Sequence, residues 1–375
     1  MKNFLVCLLI AACWGGFAEG VAAATLNSAL ADLRAVGPEG SGNAIASAAW
    51  KEVAGSDAKA LPKILSAMDG SNELTLNWLR AAVDAIAGRT LQSGGKLPVA
   101  ALERFIRDTK HNPRARRLAY ELVTRASPES GAKLLAKMLD DPSTELRRDA
   151  VQRVMDEAAR SSKAGRNADA IGSYESALRS ARDVDQIDGI AKELKTLGKP
   201  VELPKVFGWL TQWKVIGPFD STGGAGFEKV YPPEERIDFN AEYDGKSGKV
   251  RWQEFAAQGD YGVLDLNKPC GAIKEVAGYA FTEFSSDKAR PVELRLGCKN
   301  AWKIWLNGKL LFARDEYHRG VEIDQYRLAG ELKPGRNTIL LKICQNHQTE
   351  DWTKEWEFQL RITDALGTPI ASAKN

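Results

Sequence analysis

The chain changes its hydrophobic period once, near Gly198-Lys199-Pro200, and that change decides most of what it can fold into. Before it, apolar residues recur at steps of three and four: Leu74, Trp78, Leu79, Ala82, Val83 and Ile86 fall on one stripe of a helix. After it, from Trp209 onward, β-branched and aromatic residues alternate with polar ones between Gly, Pro, Asn and Asp turns, the pattern of antiparallel strands. The 375 residues allow two or three domains at roughly 150 residues each. The expected fold class is multidomain α and β. An N-terminal α-solenoid of stacked helix pairs covers 25–202 and a C-terminal antiparallel β-sandwich covers 203–375.

The first 24 residues stand apart. Lys2 supplies a positive charge, Phe4 to Ala12 a short apolar core, and Ala22-Ala23-Ala24 a small-residue cleavage site, so 1–24 reads as a secretory signal peptide. The protein is expected to be exported to the periplasm, cell surface or exterior. A lipoprotein anchored at Cys13 is the lesser alternative, because the stretch before Cys13 is short for a lipobox. Past the leader no apolar run approaches the roughly 20 residues that span a bilayer. Lys plus Arg number 52 against 49 acids, a formal charge of +3, far from the basic surface that sequence-independent nucleic-acid binding needs. No nucleic-acid partner is expected.

In the helical half, Asn112-Pro113, Ser127-Pro128 and Asp141-Pro142 each read as an N-cap followed by proline at the first helical position. Arg80-Ala81-Ala82, Arg117-Leu118-Ala119 and Arg148-Asp149-Ala150 recur at steps of 37 and 31 residues. Such pairs cannot bury their faces alone and must stack. The run Asp141 to Val151 resembles the second helix of a HEAT repeat, and Ala170, Tyr174, Ala177 and Leu178 look closer to a tetratricopeptide helix. The resemblance implies a protein-docking surface.

In the second half, strands are expected at 211–216, 250–256, 275–285, 309–314, 321–328, 337–344 and 355–363, with Val292, Leu294 and Leu296 on one face of another and Trp302, Ile304 and Leu306 on one face of a further one. Nine or ten strands with one apolar face each imply two packed sheets. Asn307-Gly308 is a strong hairpin signal. Gly223-Gly224-Ala225-Gly226 has no following helix and reads as a flexible loop. Cys270, Cys298 and Cys344 allow at most one internal bridge, and buried free thiols are favoured.

The run Ala301 to Lys309, the run Leu332 to Ile343 and the run Trp356 to Ile362 together resemble the galactose-binding-like jelly roll, and more narrowly the sugar-binding domain of family-two glycoside hydrolases. Trp213 to Phe219 resembles an opening common in secreted bacterial multidomain proteins. The resemblance implies a carbohydrate site at one loop end of the sandwich. Seven of the ten tryptophans lie between Trp209 and Trp356, and sugars stack their C–H faces on flat aromatic rings beside a few fixed hydrogen-bonding groups. By strand parity Trp305 faces outward or toward the solenoid. The candidate ligand-binding residues are Trp305, Arg314, Tyr317, His318, Arg319, Gln345, Asn346 and Trp352.

Asp315 and Glu316 are neighbours aimed apart on extended chain, a poor acid/base pair. The hydrolase, P-loop, zinc-protease and dinucleotide motifs are missing from the sequence. No cofactor and no catalytic residue is expected. The resemblance admits a structural calcium ion, and Asp260, Asp265 and Asn267, though close in sequence, lack an EF-hand spacing. The function expected is that of an exported, non-catalytic binding or scaffolding protein whose sandwich holds carbohydrate. The alternative is a structural protein-protein interaction module with no sugar ligand.

Overall fold

The computed structural model describes residues 25–318 and 320–373. The expected leader with Cys13 lies outside the described residues, as does Arg319. Helices fill the N-terminal part and antiparallel sheets the C-terminal part. The chain divides into two compact units, one ending at Glu193 and the other starting at Leu194. Among the described residues no helix is long and apolar enough to cross a membrane.

The helical region runs α1 (25–34), α2 (Asn43–Ala54), α3 (Leu61–Ser66), α4 (Glu73–Gln92), α5 (Val99–Arg107), α6 (Pro113–Ala126), α7 (Pro128–Leu135), α8 (Thr144–Lys163), α9 (Asn167–Ser180) and α10 (Val184–Thr196), whose last residues pass the boundary at Glu193. The anticipated caps hold at two of three places: Asn112 Oδ1 accepts the Arg114 N–H at 2.9 Å and Ser127 Oγ accepts the Ser130 N–H at 3.4 Å. At the third, α8 starts at Thr144 under a Ser143 cap, and Pro142 stays outside the helix. Asp141 is drawn off by the buried Arg116, whose Nη1 and Nη2 donate to its two oxygens at 2.7 and 2.6 Å. A two-pronged charged bond of this kind outcompetes a cap. In α4 the buried stripe includes Leu76, Leu79, Val83 and Ile86, while Leu74 is exposed and Trp78 half-buried.

The repeated arginines have a shared task. Arg80 on α4 donates to Glu121 on α6 at 3.4 Å, Arg117 on α6 bonds Asp149 on α8, and Arg148 on α8 donates to both oxygens of Asp185 on α10 at 2.8 and 2.6 Å. Each arginine reaches the acid of the next helix in the series. The period seen in the sequence is thus a ladder of surface ion pairs.

The second unit contains α11 (Leu203–Phe207), α12 (Pro232–Glu235) and α13 (Asn267–Cys270) among twelve strands: β1 (Gln212–Asp220), β2 (Glu242–Asp244), β3 (Lys249–Arg251), β4 (Gln253–Ala256), β5 (Leu264–Asp265), β6 (Val276–Ser286), β7 (Arg290–Cys298), β8 (Ala301–Leu306), β9 (Lys309–Arg314), β10 (Tyr326–Leu332), β11 (Gly335–Gln345) and β12 (Glu357–Thr363). A six-stranded sheet has the order β4-β1-β6-β11-β8-β9 and a four-stranded sheet β10-β7-β12-β5, with β2-β3 a separate ribbon. The strand expected at 321–328 begins only at Tyr326, because 315–325 is used for the crossing from β9 to β10. Asn307 and Gly308 take φ of 53° and 79°, the left-handed pair the two-residue turn requires.

The one-faced strands of the sequence reading are corrected in the middle of the six-stranded sheet. Trp213, Val215, Leu294, Leu296, Trp302, Ile304, Leu341, Ile343, Trp356 and Leu360 form the core between the sheets. On the opposite face Phe219, Phe227, Tyr231, Trp252, Tyr279, Phe281 and Leu340 form a second buried cluster. β6 and β11 are therefore buried on both faces and read as near-continuous apolar runs. The covering layer comes from residues 221–252. The glycine-rich stretch inside it is not loose: Gly223 N–H donates to Glu275 Oε1 at 2.8 Å and Gly226 N–H to Ser221 Oγ at 3.1 Å.

Candidate functional site

The site grows from two strand ends. β9 finishes at Arg314 and β11 at Gln345, and β8 lies between them in the sheet, so the loops that follow leave from the same region. His318 Nε2 lies 3.0 Å from Asn346 Oδ1, and its ring meets Trp352 edge to face with centroids 5.2 Å apart. The two segments singled out in the sequence do meet, through His318, Asn346 and Trp352.

Each side chain is held by its surroundings. His318 has φ of 60°, and its N–H donates to the Lys299 carbonyl at 2.6 Å. Asn346 Nδ2 donates to Gln348 Oε1 at 2.9 Å and Asn346 Oδ1 accepts the Gln348 N–H at 3.2 Å. Because Oδ1 can only accept, Nε2 of His318 carries the proton and Nδ1 keeps a lone pair. That Nδ1 is buried and has no hydrogen-bond partner. Burial pulls the imidazole below its ordinary value, opposed by the Asn346 bond. The ring is neutral at neutral pH.

Trp352 stands on a short turn, Asp351–Thr353, and is 57% exposed. Thr353 Oγ1 donates to the Glu350 carbonyl at 2.7 Å, and Lys274 Nζ donates to the Thr353 carbonyl at 2.7 Å. Trp209, Trp213, Trp252, Trp302 and Trp356 are all buried and Trp50, Trp78 and Trp305 are half-buried, which leaves Trp352 as the exposed tryptophan among the described residues.

The remaining expected residues have other surroundings. Gln345 is buried; its Nε2 donates to the carbonyls of Thr353 and Glu355 at 3.1 and 3.2 Å, and its Oε1 accepts the Asn346 N–H at 3.1 Å. It shapes the loop from beneath. Arg314 donates to Glu316 at 2.5 Å and lies over the Tyr326 ring. Tyr317 packs on the outer-face cluster, where burial pushes its phenol up. Trp305 neither reaches outward freely nor lies in the core: it packs on that same cluster, beside a cleft of about 140 Å3 shared with Glu234, Arg236, Ile237 and Leu340. Parity placed Trp305 on the correct side, but the cover supplied by 221–252 carries no local signal.

Asp265 Oδ1 accepts the Asn267 N–H at 3.0 Å, closing a turn, and Asn267 Nδ2 donates to the Lys354 carbonyl at 3.1 Å, tying that turn to a distant loop. Among the described residues no group of three His, Cys, Asp or Glu is placed to hold a metal. The three cysteines are free and buried, and burial pushes each thiol up to about 12. They are protonated and inert at neutral pH.

Sequence reasoning missed Lys342. It lies within the expected aliphatic strand yet is fully buried on the outer face, where its ammonium donates to the Phe227 and Lys229 carbonyls at 3.0 and 2.7 Å and to Glu234 at 2.8 Å. Tyr279 also donates to Glu234. All three ammonium protons are engaged, so this group fastens the covering layer to the sheet.

No protein-family model matches the chain, and no curated protein does. Solved structures give slight likenesses. The PA14 domain of the antifreeze protein MpAFP is 12% identical with a TM-score of 0.21, over 26% of this chain and 47% of that one. The GH31 alpha-xylosidase from Xanthomonas citri is 10% identical with a TM-score of 0.20, over 42% of this chain and 16% of that one. The chain thus spans less than half of either, and both scores are too low to indicate a shared fold.

Proposed function

We propose that this is an exported, non-catalytic binding protein that holds carbohydrate at the loop end carrying His318, Asn346 and Trp352. In this reading residues 25–202 form a HEAT-like α-solenoid that docks a protein, and 203–375 a galactose-binding-like jelly roll. The observation that carries the reading is the exposed indole of Trp352, stiffened by the His318 ring, which in turn meets the Asn346 amide that is bonded to Gln348. An apolar plate bordered by fixed donors and acceptors suits a sugar, whose C–H face stacks while its hydroxyls bond. A neutral imidazole whose free nitrogen is shut away from solvent is poorly placed to take a proton from a substrate, which favours binding over catalysis.

The test is affinity electrophoresis of the full chain through gels containing soluble glucans, mannans, xylans or galactans. Retardation in one gel, abolished by Trp352→Ala, supports the reading. Free migration in every gel retires it, and retardation unchanged in Trp352→Ala places the ligand elsewhere.

A protein partner is the second reading. It is favoured by Leu310 and Phe312, two exposed apolar side chains on β9, the strand at one edge of the six-stranded sheet.

A further inference from the structure

Lys246 lies in the turn between β2 and β3, its backbone N–H on the Pro218 carbonyl at 2.9 Å. Its ammonium extends away from the ribbon into a ring of oxygens. The Glu275 and Lys274 carbonyls stand at 2.8 and 3.1 Å, Thr222 Oγ1 at 3.3 Å, Asp220 Oδ1 at 3.4 Å and Glu275 Oε2 at 4.0 Å. These come from two separate stretches, the turn after β1 and the corner before β6. Five oxygens are more than an ammonium's three protons can serve. Two carboxylates, two carbonyls and a hydroxyl are instead the hard donor set that calcium takes, with six to eight oxygens at about 2.3–2.6 Å.

We infer that this ring is a cation site filled from within: the Lys246 ammonium does for the corner what a bound divalent cation would do, and shortening that side chain hands the site to calcium. The corner needs such a clamp. Glu275 sits at φ of 54°, a region glutamate rarely adopts, and the Asp220 and Glu275 carboxylates both stand against this one ammonium, at 3.4 and 4.0 Å. Without a central positive charge their repulsion opens the ring.

The corner also bears on the loop end described above. Glu275 N–H donates to the Asn346 carbonyl at 3.1 Å, and Lys274, whose carbonyl Lys246 holds, reaches the Thr353 carbonyl through its own side chain at 2.7 Å. Lys246 is thus a positioning residue for the Asn346 backbone and for that of Thr353, the neighbour of Trp352. The inference stands whether or not that loop end binds sugar, because its readouts are cation binding and unfolding.

The experiment is thermal unfolding of the full chain, followed by tryptophan emission, in millimolar calcium and in chelator. The wild-type midpoint should be the same in both. Lys246→Ala should unfold at least about 4 °C lower in chelator and recover in calcium. Lys246→Met should fall equally and stay down, since its side chain fills the ring and brings no charge. A Lys246→Ala protein that folds only with calcium also supports the inference. It is overturned if Lys246→Ala keeps the wild-type midpoint in chelator, if calcium fails to restore it or to fold it, or if calcium raises the wild type as much as the variant.

Discussion

In the helical region Arg80 and Arg148 stand at the surface and Arg117 is half-buried, each answered by an acid of a neighbouring helix. In the β region Lys342 and Arg361 lie inside, and their partners are gathered from distant stretches of chain. Arg361 donates to Asp324 at 2.7 and 2.5 Å and to the Phe207 carbonyl at 3.2 Å; Lys342 reaches two carbonyls and Glu234. The same chemistry thus does different work. Solvated pairs are each worth about 0–1 kcal/mol and act as register marks. A buried charge that loses its partner, by contrast, costs about 3–5 kcal/mol. The repeated charges of the helical region mark a repeat, with the buried Arg116–Asp141 pair standing apart from them; the inner charges of the β region hold layers together.

The sharpest way to break that contrast is to remove an inner partner. Glu234→Ala leaves the Lys342 ammonium buried with only carbonyls, and the β region should lose about 3–5 kcal/mol in urea unfolding. A loss under about 1 kcal/mol would make the inner pair no different from the outer ladder.

The contrast also explains what could be read in advance. The ladder arginines recur at nearly constant spacing, so their equivalence shows in the sequence. Lys342 and Arg361 sit in strands whose two faces are both covered, and alternation then tells nothing about which polar residue goes inside. Asn307-Gly308 was legible because the turn needs φ that few residues tolerate. Asp141-Pro142 misled because a buried arginine 25 positions earlier takes the aspartate. Of the site, the His318 and Asn346 loops could be paired through the jelly-roll resemblance. That Gln345 would turn inward while Trp352 turned out depended on Asn300, Thr353 and Glu355 packing around it.

A second comparison sets two tryptophans of the β region against each other. Trp302 is fully buried between the sheets and Trp352 is exposed. Trp302→Ala should lower stability by about 3–5 kcal/mol, whereas Trp352→Ala should change it by less than about 0.5 kcal/mol. Calorimetric unfolding of both variants checks this. A large loss in Trp352→Ala would mean that its ring is part of the packing.

His318 gives a smaller, pH-dependent effect. Burial holds its folded value below the ordinary 6.5, so the folded state binds fewer protons than the unfolded one as the pH falls. The stabilisation is complete above pH 6.5 and is lost as pH falls through the lowered folded value. Urea midpoints taken from neutral to mildly acid pH should therefore fall more steeply in the wild type than in His318→Gln. Parallel curves would contradict a buried neutral ring.

The smallest effect belongs to the ladder. Arg148→Ala should cost no more than about 1 kcal/mol, diminishing in high salt. A larger, salt-independent loss would place that pair with the buried ones.

The most direct measurement of the proposed site is the tryptophan emission of the full chain titrated with the soluble polysaccharides above, alongside Trp352→Phe. The expected result is a saturable shift for one polysaccharide in the wild type and none in the variant, since the other indoles among the described residues, Trp50 and Trp78 included, are buried or half-buried and Trp352 is open. A wild type that shows no shift with any of them, or a variant that shifts equally, would contradict sugar binding at Trp352.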